Sequence, residues 1–116
     1  MKTAIIGCGN IAQVHAWSLA NIEDADLVAF SDINLKKAQN MSEKYTAGKA
    51  EAFEDYIEMI EKISPDIVHI CTPHYLHVPM AIEALKRNVS VFMEKPPAIT
   101  KEEFALLFNA FKETNA

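Results

Sequence analysis

Gly7-Cys8-Gly9-Asn10-Ile11-Ala12, lying directly after the apolar run Lys2 to Ile6 and directly before a segment of helical period, is the stretch on which the fold turns. Each small residue has a task in a strand, G-x-G-x-x-A, helix sequence. Gly7 permits a tight turn, Gly9 removes the Cβ that would block a pyrophosphate, and Ala12 lets the helix lie close to its strand. The amides that open such a helix lack partners within it and, aided by the helix dipole, attract anions. A turn that binds nothing needs one glycine, whereas two of the three glycines in the chain fall here. Gly7, Cys8, Gly9, Asn10 and Ile11 are therefore candidate contacts to a dinucleotide.

Outward from this motif, short apolar runs alternate with longer segments of helical period, the sign of βαβ units around a parallel sheet. Strands are expected at Lys2 to Ile6, Leu27 to Ser31, Ala50 to Phe53, Ile67 to Cys71 and Val89 to Met93. All but the third are apolar enough to be buried on both faces. The first helix, Ile11 to Asn21, carries Ala12, Ala16 and Leu19 on one stripe, and the second covers Leu35 to Lys44. The third, Glu54 to Lys62, is amphipathic through Tyr56, Ile60 and Ile63, and Pro65 closes it. Val78, Ile82 and Leu85 mark the fourth, with Asn88 where a left-handed cap is wanted. Thr100 and Glu103 form a capping box before the apolar face Phe104, Leu107, Phe108 and Phe111. The expected fold is a Rossmann-type doubly wound α/β sheet in the order 3-2-1-4-5, without the usual sixth strand.

Composition narrows the partners. A chain of 116 residues, half of them apolar, has room for one domain with a core. The net charge of −5 argues against nucleic acid as the main partner. No apolar stretch reaches the length of a membrane span, and the run that starts at Met1 breaks at Gly7 before a signal-peptide core develops. Cys8 and Cys71 are too few for a disulfide scaffold and fit free thiols in a cytoplasm.

Three further segments converge on the same sheet edge. Asp32 stands at the end of the second strand, where a carboxylate accepts hydrogen bonds from adenosine ribose hydroxyls. A 2′-phosphate about 4 Å from it would be opposed by roughly 4 kcal/mol at an effective dielectric near 20, which favours NAD over NADP. Lys36 and Lys37 soften that preference. Thr72-Pro73-His74-Tyr75-Leu76-His77 follows the fourth strand and Glu94-Lys95-Pro96-Pro97 the fifth. In a doubly wound sheet, ligands bind outside the carboxyl ends of the strands where strand order reverses, here between the first and fourth.

Taken together, G-x-G-x-x-A, Asp32, T-P-x-x-x-H and E-K-P at these separations resemble the N-terminal domain of the glucose-fructose oxidoreductase, inositol dehydrogenase and rhizopine-catabolism (Gfo/Idh/MocA) family, over essentially the whole chain. The resemblance implies that Thr72, Pro73 and His77 line the dinucleotide, that Glu94 contacts the nicotinamide ribose, and that Lys95 sits beside the nicotinamide and the substrate hydroxyl. It implies oxidation of a carbinol of a sugar, inositol or related polyol, with Lys95 catalytic; a homo-oligomer is expected separately, through the open sheet edge or the surface a second domain would cover. It also implies a second, substrate-holding domain that these residues do not include, so the chain alone is expected to bind NAD without turnover. His74, a further candidate contact, stands where many relatives carry Asn, and Pro97 stiffens the exit from the fifth strand.

Other readings compete. A methyltransferase also uses a glycine-rich first turn and an acidic residue after the second strand, so those two features alone admit S-adenosylmethionine. The Thr-Pro and Glu-Lys-Pro segments favour the dehydrogenase. A non-catalytic NAD-sensing module would keep the cofactor site, and the presence of Lys95 speaks against it. His69, His74 and His77 lack a carboxylate or thiolate that would complete a metal set. Cys8 and Cys71 follow neighbouring strands and admit a redox pair, although packed free thiols suit them better. Trp17 and the aromatic stripe of the last helix are assigned to core or interface. The Val89 to Met93 strand is expected to lie open at the sheet edge, a surface that recruits partners.

Overall fold

The computed structural model describes residues 1–93 and 100–114, apart from the side chains of His74 and Phe104. Five strands alternate with five helices: β1 Lys2–Ile6, α1 Asn10–Ala20, β2 Asp26–Ser31, α2 Leu35–Thr46, β3 Glu51–Phe53, α3 Tyr56–Ile63, β4 Ile67–Ile70, α4 His74–Lys86, β5 Ser90–Met93 and α5 Lys101–Lys112. All strand pairs are parallel and the order is β3-β2-β1-β4-β5, as the sequence leads one to expect.

Both faces of the sheet are covered because successive strand residues point to opposite sides. On one side Ala4, Ile6, Ala29, Val68 and Ile70 pack with Met59 and Ile60 of α3 and Ala81 and Ala84 of α4. On the other, Ile5, Leu27 and Phe30 pack with Ala12 and Ala16 of α1 and Ala38 and Met41 of α2. Leu27 and Phe30 are three apart yet share a face, which a period of two forbids. The register between β1 and β2 slips at this point: Thr3 faces Leu27 but Ala4 faces Ala29, leaving Val28 as an extra residue. A bulge of this kind re-aims every later side chain of its strand.

Local signals hold up where the chemistry is local. Asn34, Asp55 and Thr100 accept backbone N–H bonds at the starts of α2, α3 and α5. Asn88 takes the left-handed conformation (φ 59°) after α4, and Ser64 (φ 49°) ends α3 ahead of Pro65. The capping box forms in one direction, with the Glu103 N–H donating to Thr100 Oγ1 at 3.0 Å.

The structure differs from expectation where burial depends on distant elements. α3 starts at Tyr56, because Asp55 serves as its cap rather than as part of the helix. In α4 the fully buried stripe includes the small residues Ala81 and Ala84 beside Val78 and Leu85, while Ile82 is half-buried. In α5 Leu107 packs against the core, whereas Phe108 and Phe111 remain substantially exposed and the Phe104 side chain lies outside the described residues. Trp17, at 63% exposure, is not a core residue. β5 forms an edge of the sheet among the described residues.

Candidate functional site

The carboxyl ends of β1, β2 and β4 enclose a cleft of about 380 Å³, within the size range of small-ligand pockets. Gly7, Cys8, Gly9, Asp32, Thr72 and Pro73 line it, so three of the four motifs meet where strand order reverses. Gly7 is held in the turn at φ +90°, with its N–H donating to the Ser31 carbonyl at 2.8 Å. A Cβ there would lie 2.8 Å from Thr72 Cγ2 and 3.0 Å from the Cys71 carbonyl carbon and oxygen. Gly7 is therefore required by the fold itself. Gly9 is different: its backbone is extended (φ −88°), and a Cβ would meet no protein atom within 4 Å. Nothing in the fold demands glycine there, and the space suits a ligand's phosphates.

Asp32 ties the cleft together. Its Oδ2 accepts the N–H of Cys8 at 2.8 Å and its Oδ1 accepts the N–H of Asn34 at 2.8 Å, linking the glycine turn to the start of α2. An ionised carboxylate has about four lone-pair sites, so the two oxygens retain capacity for a diol. α1 and α4, which follow the adjacent strands β1 and β4, both begin without a side-chain cap, unlike α2, α3 and α5. Their first amides thus remain available at the rim.

The other sequence candidates fall into different places. Asn10 and Ile11 open α1 and are exposed beside the cleft rather than lining it. His77 is 2% exposed and stands behind the rim, its Nε2–H donating to the Thr72 carbonyl at 2.7 Å. His74 begins α4, and its side chain lies outside the described residues, as do Glu94, Lys95, Pro96 and Pro97. The cleft also presents Lys37, expected from the sequence to soften the cofactor preference, and Ile33, Asn34 and Tyr75, which sequence reasoning did not assign. Ile33 (90% exposed) and Tyr75 (70%) leave apolar surface in water at the rim. An apolar residue directly after Asp32 was a signal for Ile33. Tyr75 had none beyond its place in the Thr-Pro segment.

Two buried titratable groups are perturbed. Burial, then the Asp32 carboxylate and the Cys71 thiol, push the Cys8 thiol up to about 12, so it stays protonated and unreactive at neutral pH. Cys8 and Cys71 are both buried and neither is in a disulfide. Among the described residues no three His, Cys, Asp or Glu side chains gather as a metal set. His69 instead faces His15, with their Nδ1 atoms 3.0 Å apart, and stacks on Phe92. Burial and, secondarily, His15 push His69 down to about 4 from an ordinary 6.5.

The unfolded chain therefore binds a proton at His69 more readily than the native state does. The stability contributed by the neutral ring is intact above pH 6.5 and is lost as pH falls toward 4. Allowing for its partial solvent exposure, the loss is about 1–2 kcal/mol. Urea denaturation at pH 7 and pH 4.5, compared with His69→Phe, reads this term apart from the carboxylates. The substituted chain is expected to lose less stability over that interval, and an equal loss in both chains would refute the assignment.

No helix among the described residues is long and apolar enough to cross a membrane. A family model described as "Oxidoreductase family, NAD-binding Rossmann fold" (Gfo/Idh/MocA) matches residues 1–116. The chain is 38% identical over 104 residues to D-glucoside 3-dehydrogenase of Escherichia coli K12, covering 89% of this chain and 29% of that protein. It is 33% identical over 122 residues to myo-inositol 2-dehydrogenase of Thermotoga maritima, covering 96% and 36%. The WlbA dehydrogenase of Bordetella pertussis, solved in complex with NADH and UDP-GlcNAcA, superposes with a TM-score of 0.86 at 30% identity, covering 97% of this chain and 34% of that one. The chain thus spans about a third of the length of these relatives.

Proposed function

The chain belongs to the Gfo/Idh/MocA oxidoreductase family, and on that premise we propose that residues 1–116 form the NAD-holding domain of a longer dehydrogenase that acts on a hydroxyl carbon of a sugar, inositol or related polyol. The observation that carries the cofactor reading is the pairing of Asp32, hydrogen-bonded to the Cys8 amide, with the open space over Gly9 in one cleft. These residues fit a dinucleotide. Asp32 receives the adenosine ribose hydroxyls, the glycine turn and the start of α1 receive the pyrophosphate, and Thr72 and Pro73 border the path toward β5. The substrate domain lies outside residues 1–116, in keeping with relatives about three times as long.

NAD, when bound, supplies the hydride acceptor. The chain's own contribution to the reaction is Lys95, whose role rests on the family pattern. A partly desolvated ammonium has a lowered pKa and exchanges a proton with the substrate hydroxyl. Glu94 holds the nicotinamide ribose on the same pattern. Residues 1–116 alone bind NAD and do not turn over. The β5 edge, unpaired among the described residues, supports association of copies of the chain.

The Asp32 carboxylate predicts NAD over NADP, with Lys37 at the cleft moderating the difference. Titration is expected to give tighter binding of NADH than of NADPH, by about 10- to 1000-fold. Asp32→Ala is expected to erase most of that ratio, strengthening NADPH as the repulsion is relieved and weakening NADH as the ribose acceptor is lost. Tighter binding of NADPH by the unsubstituted chain would remove Asp32 from the ribose.

A further inference from the structure

We propose that His77 is a positioning residue for the cofactor rim: from inside α4 its imidazole fixes the Thr72 carbonyl and, through Thr72, the seat of the glycine turn. The inference rests on the dinucleotide reading above and gives His77 a role without cofactor contact. His77 lies one turn into α4, 2% exposed, beneath the short connection that carries Thr72 and Pro73 from β4 to the cleft. A carbonyl oxygen only accepts, so the 2.7 Å contact places a proton on His77 Nε2. The Thr72 carbonyl precedes α4, whose first backbone bond runs from the Leu76 N–H to the Pro73 carbonyl at 3.0 Å. The helix ladder therefore leaves the Thr72 oxygen to a side chain. His77 supplies the donor.

A second anchor acts on the same residue, because Thr72 Oγ1 donates to Met80 Sδ at 3.3 Å. Both anchors stand on α4. The coupling then passes to the glycine turn through the backbone, since the Cys71 N–H donates to the Ile6 carbonyl at 2.8 Å, and through the Thr72 methyl, which occupies the space beside Gly7 that a Cβ would need. A shift of Thr72 therefore changes the space beside Gly7 and the setting of the next amide, that of Cys8, which Asp32 holds at 2.8 Å. A core histidine with no such role would be replaceable by any side chain that fills its volume.

The test compares three variants of the chain, with NADH as the probe, well below each unfolding temperature. His77→Gln carries an amide donor at about the reach of Nε2, His77→Asn carries one that is too short, and His77→Leu carries none. His77→Asn and His77→Leu are expected to raise the NADH dissociation constant about tenfold, equivalent to about 1.4 kcal/mol. His77→Gln is expected to stay within about threefold of the unsubstituted chain. If His77→Leu fails to fold, the Gln and Asn pair decides. Equal NADH affinity in all folded variants, or a His77→Gln as weak as His77→Asn, overturns the role. Absence of NADH binding by the unsubstituted chain overturns the dinucleotide reading instead, and this inference with it.

Discussion

Gly7→Ala is expected to cost the fold about 2–5 kcal/mol, from a non-glycine residue at φ +90° and from a Cβ driven into Thr72 and the Cys71 backbone. For a domain of this size such a loss lowers Tm by about 10 °C or more. The neighbouring substitution separates folding from binding. Gly9 has an extended backbone and open space around its missing Cβ, so Gly9→Ala is expected to change stability by no more than about 1 kcal/mol. In the same protein NADH affinity is expected to fall about tenfold or more, because the new methyl occupies space assigned to the pyrophosphate. Thermal denaturation and NADH titration of both variants read the two effects. Equal Tm losses would show that both glycines serve only the turn, and an unaltered NADH affinity in Gly9→Ala would move the phosphates elsewhere.

Lys95→Met in the full-length protein is expected to lower turnover of a sugar or polyol by about 100- to 10,000-fold, the range for loss of a positioned proton-transfer group. NAD affinity is expected to stay within about threefold. Methionine preserves the length of the side chain and removes its proton chemistry, so packing changes little. A variant that turns over near the normal rate takes Lys95 out of the reaction. If the unsubstituted full-length protein binds NAD and never reduces it across a polyol panel, the domain serves a sensor rather than a dehydrogenase.

How much of this was legible in the sequence follows from how local each feature is. The glycine turn, the caps at Thr100 and Asn88 and the apolar runs of β1, β2, β4 and β5 are set by neighbours within a few residues, and they read directly. The sheet order followed from connection handedness. The bulge at Val28 did not, because it becomes visible only when β1 and β2 are paired. The same limit applied to His77. Its place in T-P-x-x-x-H marked it as a cofactor contact, whereas its burial behind Thr72 depends on how α4 settles against the sheet.

The candidate site divides in the same way. Gly7, Gly9, Asp32 and Thr72 were found from motif spacing, since the topology brings those strand ends together whatever their side chains do. Ile33 and Tyr75 were missed because exposed apolar residues on a rim have no periodicity. The His15–His69 pair joins residues 54 apart in sequence, and neither segment hints at the other. The aromatic face of α5 was legible as apolar, but Phe108 and Phe111 stay substantially exposed because the described residues put only part of that face against α4 and the sheet.

NAD is proposed to lie across the glycine turn and Asp32. Titration of residues 1–116 with NADH, followed through backbone amide NMR shifts, tests it most directly. Saturable shifts are expected, concentrated at Cys8, Gly9, Asn10, Asp32 and Thr72 and lost in Gly9→Ala. Shifts that fail to saturate, or that gather away from these residues, would contradict it.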